Sequence, residues 1–280
     1  MDFETTYEPD NSLKKGYFLI LREIYDELKK NKWLIYQLFK RDFLTIYRQS
    51  VFGLLWAFAV PILSLIVFVF LNQSGLFITG VTIVPYPIYA LLGLAFWQLF
   101  STGVLACSSS LVQAGSMVTK INFSKKALVI ASMGKTLVAF LIQFFLCLST
   151  FALYGIFPNA GILLTPLLIL PLLLFTLGIG LILSVLNGII RDFGNLVSVL
   201  MTFLLFVTPV MYEAPKTGIL AQLTPLNPLS YLISVPRDLA LTGETSGLIG
   251  FLVLSALSLA IFLVGLIAFH LTETRLAERL

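Results

Sequence analysis

The chain has 280 residues, 58% of them hydrophobic and only 11% charged, with a net charge of +4 and a mean hydropathy of +0.97. A soluble domain carries roughly a quarter charged residues, so this composition excludes an ordinary water-soluble fold and points to an integral membrane protein. The small positive balance fits the positive-inside ends of membrane segments and argues against nucleic acid as a partner. Cys107 and Cys147 fall inside apolar runs and His270 is the single histidine, so neither a disulfide nor a metal site is expected. The start MDFETTYEPD is acidic and polar, unlike a cleavable signal peptide, and the first span is expected to direct insertion itself.

Residues 1–12 read as a polar tail. Tyr17, Leu21, Ile24 and Leu28 then share one helical face, and Lys29, Lys30 and Lys32 close that segment. A second amphipathic helix begins near Trp33. Its stripe is Ile35, Phe39, Phe43, Ile46 and Tyr47, with Gln37, Lys40, Arg41 and Arg48 on the other side. A helix of this kind is expected to lie in a membrane surface, rings in the acyl boundary and cations at the headgroups. Residues 1–50 therefore form a cytoplasmic tail with amphipathic helices, and 51–280 a transmembrane domain.

From Gln49 to Lys120 there is no charged side chain. Six runs reach the length of about 20 apolar residues that a spanning helix needs: 51–72, 86–111, 127–153, 160–187, 193–212 and 246–271. The stretch LLTPLLILPLLLFTLGIGLIL does not alternate, which excludes barrel strands. The fold class is all-α. The N-terminal segment carries nine Lys and Arg against eight acids, and the Lys120–Lys135 link carries four and no acid. These counts put both termini, that link, the Arg191-Asp192 turn and the tail TETRLAERL in the cytoplasm. Residues 213–245 hold Pro215, Pro225, Pro228 and Pro236, and their apolar pieces are too short to cross. They read as an external loop with two short helices, either plain or re-entrant and lining a pathway.

Gly134-Lys135-Thr136 resembles the end of a phosphate-binding loop, but that pattern requires a glycine where Val129 stands, and no strand precedes it. The chain is expected to bind no ATP. Gly178-Ile179-Gly180 reads as a close-packing site between helices in lipid. No acid, base and nucleophile come together in the sequence, and the spans lack the ionisable residues that ion-coupled transporters place at membrane depth. If the chain is a transporter, its energy is expected to come from elsewhere. Rings are abundant. Phe52 and Trp56 share a face of the first span, Tyr86, Tyr89, Phe96 and Trp97 mark the second, and Phe206 and Tyr212 the fifth. They read either as an interfacial belt with lipid-facing filler, or as pore-facing surfaces on which sugars stack.

The run RDFLTIYRQSVFGLLWAFAVP, residues 41–61, fits R-D-x(4)-Y-[KR]-Q-[ST]-x-x-G-x-x-W-x(4)-P through Arg41, Asp42, Tyr47, Arg48, Gln49, Ser50, Gly53, Trp56 and Pro61. PYPIYALLGLAFWQLF at 85–100, SSSLVQAGSMVTKINF at 108–123, RDFGNLV at 191–197, TPVMY at 208–212 and NPLSYLISVPRDLALTGE at 227–244 follow in order. With these motifs the chain resembles, over nearly its whole length, the membrane subunit of ABC-2 type polysaccharide exporters, the permeases for O-antigen, teichoic acid and capsule. One departure is Ser124, where many members carry proline.

The resemblance implies six spans per protomer, a cytoplasmic interface helix bearing Arg41, Asp42, Tyr47, Arg48 and Gln49, and short gate helices between spans five and six. It implies a two-plus-two assembly of this chain with a separate nucleotide-binding ATPase that holds the ATP and Mg, in a bacterial inner membrane. A coupling loop around Met117–Lys126 would dock on that ATPase through Met117, Val118, Ile121 and Phe123, with Lys120, Lys125 and Lys126 meeting an acidic rim. The first and fifth spans of two protomers would surround a conduit lined by Phe52, Trp56, Phe96, Trp97, Phe206 and Tyr212. The expected cargo is a lipid-linked glycan. A drug or free-lipid exporter, and a non-transporting scaffold for glycan synthesis, remain as alternatives.

Overall fold

Long apolar runs satisfy their backbone hydrogen bonds in lipid only as helices or closed barrels. A computed structural model of the protein describes residues 17–48, 52, 55–75, 84–115, 123–214 and 217–276, and there is no strand among them. Two amphipathic helices lead: α1, Tyr17–Lys30, and α2, Lys32–Arg48. Then come α3, Leu55–Gln73, α4, Tyr86–Ala114, and α5, Lys125–Leu153. A 3-10 turn at Ala160–Leu164 and one α-turn at Thr165–Leu168 enter α6, Leu170–Ile189. The chain continues as α7, Asp192–Val207, a short helix Ile219–Leu223, α8, Pro228–Thr242, and α9, Leu248–Leu276.

The centre of the bundle is α4. Pro85 and Pro87 open it, where missing N–H groups cost a helix nothing, and most of its residues are buried. It packs between α5 and α6, and α9 packs on α6. Small residues set these approaches, as Gly178-Ile179-Gly180 suggested. A Cβ on Gly178 would meet the backbone of Ile261 and Phe262 on α9, and one on Gly180 would meet Cys107 of α4. Both cysteines are free and buried. The Asn187 amide ties three helices: it donates to the Ser108 carbonyl at 3.0 Å and accepts from the Gly194 N–H of the first α7 turn at 3.0 Å.

The apolar stripe of α2 seats on protein rather than turning wholly to lipid. Leu38 is buried, and the Phe39 ring lies where a Cβ on Gly134 of α5 would stand. This is why a glycine precedes Lys135-Thr136: the fragment of a phosphate-loop pattern is a helix-packing position. By contrast α3 has Pro61 as its one buried residue and leaves an apolar face uncovered.

Among the described residues, five helical segments are long and apolar enough to cross a membrane: Leu55–Gln73, Tyr86–Ala114, Lys125–Leu153, Ala160–Ile189 and Leu248–Glu273. The expected fifth span, 193–212, is different. Its helix stops at Val207, about 24 Å long at 1.5 Å per residue, short of a hydrocarbon core of about 30 Å. Pro209 is the cause, because its ring disfavours helical backbone at the preceding Thr208, whose φ and ψ are −96° and 130°. Residues 213–245 hold the short helix Ile219–Leu223 and α8, and α8 is packed into the bundle. Leu232, Ile233, Val235 and Arg237 are all at most 2% exposed, packed against α4, α9 and the 160–164 turn.

Candidate conduit face and hinge

Exposed rings stand just before and on α3 and on α7, as well as at Trp33, Phe145 and Phe157 elsewhere in the chain. Phe52 and Trp56 are 60% and 49% exposed and touch edge to face at 5.9 Å; Phe203 and Phe206 on α7 are 66% and 55% exposed. Exposed apolar surface of this kind is met by lipid or by another protein.

Not all the expected conduit rings lie there. Phe96 is fully buried and Trp97 is 5% exposed. Phe96 packs on Phe140 at 5.7 Å, and Trp97 on Phe100 at 5.9 Å. Both belong to the buried core of the chain rather than to its exposed surface. Because α4 is apolar all round, its sequence shows no face from which the direction of a ring could be read.

Tyr212 belongs to a hinge. Where α7 ends, the carbonyls of residues 208–212 leave the helical ladder, and Thr208, Val210 and Met211 are at most 3% exposed. Buried carbonyls need donors. Arg237 of α8 supplies them: one Nη of its guanidinium donates to Pro209 O at 2.8 Å and to Val210 O at 3.0 Å. The same group sits 4.1 Å above the Tyr89 ring, a cation–π contact, and pairs through Nε with Asp238 at 2.9 Å. Tyr89 Oη donates to Tyr212 O at 3.3 Å, and Tyr212 Oη donates to Phe206 O at 2.7 Å. Asn227 caps α8 by accepting from Leu229 N–H, and its amide donates to Thr208 Oγ1 at 2.9 Å. Gly93 of α4 lets the Val210 carbonyl approach where any Cβ would collide. A buried cation thus fastens the end of α7 to α8 and α4.

At the other end of the bundle, Phe123 is half-buried, while Lys125 and Lys126 are 8% and 1% exposed. Lys125 Nζ donates to the Glu273 carbonyl at 3.2 Å, and Lys126 pairs with Glu27 and Glu273. Acidic partners for Lys126 are therefore supplied from within this chain, while Lys125 reaches a backbone carbonyl. Met117, Val118, Lys120, Ile121 and Gln49 lie outside the described residues, as do the side chains of Tyr47 and Arg48. Arg41 and Asp42 pair with each other at 2.8 Å and edge a cavity of about 130 Å³, lined also by Ser110, Gln113, Leu128 and Ser132. Glu27, His270 and Glu273 could converge on a metal ion, but the Lys126 ammonium stands among them.

Residues 34–241 match the family model of the ABC-2 type transporter. The chain belongs to that family. This ABC-2 chain is 30% identical over 222 residues to the O-antigen export system permease protein RfbA of Myxococcus xanthus, covering 77% of this chain and 81% of that one. Two proteins of the same name from Klebsiella pneumoniae are each 26% identical, over 243 and 246 residues, covering 85% of this chain and 91% of theirs. The resemblance read from the motifs is met. Membership makes this ABC-2 chain a multi-pass transmembrane subunit, and the family implies a separate ATPase partner.

Sequence reading missed Arg237, Glu27 and Glu273. The signal for Arg237 was present: Arg-Asp inside an otherwise apolar helical stretch is a charge that must find partners. No sequence signal announces Glu27 and Glu273, because they meet Lys126 from positions far apart in the chain.

Proposed function

We propose that the protein is the membrane subunit of an ATP-driven exporter of lipid-linked polysaccharide, O-antigen-like or teichoic-acid-like, in the bacterial inner membrane. Its collinear similarity to permeases named for O-antigen export, covering 81% and 91% of their lengths, carries the reading. Two copies face each other across α3 and α7, and two copies of the ATPase hold the ATP and Mg. The uncovered rings of both helices support that pairing. In this arrangement α7 crosses as the fifth of six spans together with the 208–212 hinge, both termini are cytoplasmic, and α2 lies along the cytoplasmic interface. The helix α8 is re-entrant and gates the outer mouth. The segment 117–126 receives the ATPase, through its apolar residues and Lys120.

ATP-driven closure of the partner pushes the start of α5, rocks the protomers and opens the conduit, through which sugars slide along Phe52, Trp56, Phe206 and Tyr212. Ring faces and sugar C–H groups attract weakly and without fixed register, which suits a moving polymer.

A deletion strain complemented with variants tests this. The deletion abolishes surface glycan while lipid-linked polymer accumulates inside. Wild type restores export, and Trp56→Ala restores it with a two- to tenfold lower yield per ATP, given ring contacts worth about 0.5–1.5 kcal/mol. Intact surface glycan with loss of drug or lipid efflux contradicts the cargo. Failure of polymer synthesis itself points to a scaffold instead.

A further inference from the structure

The best-connected polar group at the α5 start is a single ammonium. Lys126 is 1% exposed, and a buried lysine is stable only when its three N–H donors are met. Three acceptors from two other helices surround it: the Glu273 carboxylate on α9, Glu27 Oε2 on α1 at 3.0 Å, and His270 Nδ1 on α9 at 3.2 Å. Glu273 does a second job. Its Oε1 accepts the Lys125 backbone N–H at 2.5 Å, so a carboxylate from α9 caps the first turn of α5. No capping hydrogen bond comes from the Ser124 side chain, which leaves that site to Glu273. Lys125 Nζ in turn donates to the Glu273 carbonyl at 3.2 Å. Nearby, Ile20 and Ile24 bury the apolar side of α1.

Three segments remote in sequence are therefore fixed at one point: α1, the start of α5 and the end of α9. An apolar contact would allow these helices to slide. A buried ammonium held by directed partners does not slide without losing them.

We infer that Lys126, with Glu273 and Glu27, is the mechanical joint through which displacement of the α5 start is passed to α1 and α9, so that the three move as one body during the transport cycle. The inference rests on the exporter reading for the source of that displacement. Lys126, Glu27 and Glu273 are positioning residues, and none of them contacts cargo or nucleotide. Cutting the joint uncouples hydrolysis from movement, whereas a purely structural ion pair would lower both together.

The test uses the full chain co-expressed with its ATPase and reconstituted in liposomes. Glu27→Gln is the informative variant, because the Glu27 side chain is 30% exposed and its loss leaves the cap and the Lys126–Glu273 pair in place. The expected result is normal assembly, unchanged ATP hydrolysis and polymer exported per ATP reduced about fivefold or more, as a coupling free energy of this class implies. Lys126→Met gives the same split more strongly. Spin labels at exposed Tyr25 on α1 and Leu259 on α9 give a readout independent of cargo. Their distance distribution stays single between nucleotide-free and ATP-bound wild type, and broadens in Glu27→Gln. An unchanged distribution, an unchanged export-to-ATP ratio, or failure of Glu27→Gln to assemble each overturns the joint. Wild-type complex that moves no glycan while the labels behave as stated counts against the cargo and leaves the joint standing.

Discussion

Replacing Arg237 by leucine is expected to cost about 3–5 kcal/mol, the usual loss when one member of a buried charged network is removed. The physical content is specific. The Pro209 and Val210 carbonyls lose the Arg237 donor in a buried site, the Tyr89 ring loses its cation, and Asp238 loses its partner. Asp238 is partly exposed and recovers some of its cost in water, so most of the loss belongs to the two carbonyls. Arg237→Lys keeps the charge but has neither the planar fork nor the stacking surface, and restores only part. Thermal unfolding of the purified protein in detergent reads this as a midpoint lowered by roughly 10 °C for leucine, with lysine in between. A leucine variant within about 2 °C of wild type would mean that the hinge does not depend on Arg237.

The second large effect is expected at the contact between α6 and α9. Gly178→Ala places a Cβ 2.7 Å from the Phe262 backbone nitrogen, and Gly265→Ala places one 2.5 Å from the Gly178 carbonyl oxygen. Backbone cannot rotate aside as a side chain can, so the helices must separate along their whole contact. Each variant is expected to lose about 1–3 kcal/mol, the range for overpacking a tight interior. Since both act on the same contact, the double variant loses less than the sum. Truncation of the exposed Leu252 to alanine on the same helix is the control and is expected to change little. Equal midpoints for Gly178→Ala and this control would contradict the close approach.

These two sites also mark how far the sequence was legible. Element positions followed from hydrophobic run length: α3, α4, α5 and α9 begin and end within several residues of the runs read at 51–72, 86–111, 127–153 and 246–271, and the run at 160–187 is covered by the Ala160–Leu164 and Thr165–Leu168 turns together with α6. The run read at 193–212 failed at its end, because Pro209 interrupts the helix without interrupting the hydropathy. Gly178-Ile179-Gly180 was legible as a packing site, since small residues in an apolar helix have few other uses. Which rings face inward on α4 was not, because a helix apolar on every side carries no directional pattern. Lys125 and Lys126 read as charges for a partner, whereas Lys126 meets Glu27 on α1 and Glu273 on α9, and Lys125 meets the Glu273 carbonyl. Local sequence holds no record of a contact between residues 27, 126 and 273.

The claim on which the account turns is that this chain works as one half of a membrane channel driven by a separate ATPase. Co-purification of the tagged protein from its native membranes in mild detergent tests it most directly, with the mass and stoichiometry of what accompanies it measured. The account predicts a nucleotide-binding subunit at one copy per permease, in a two-plus-two complex. Recovery of the permease without any nucleotide-binding partner, repeated after gentle crosslinking, would contradict it.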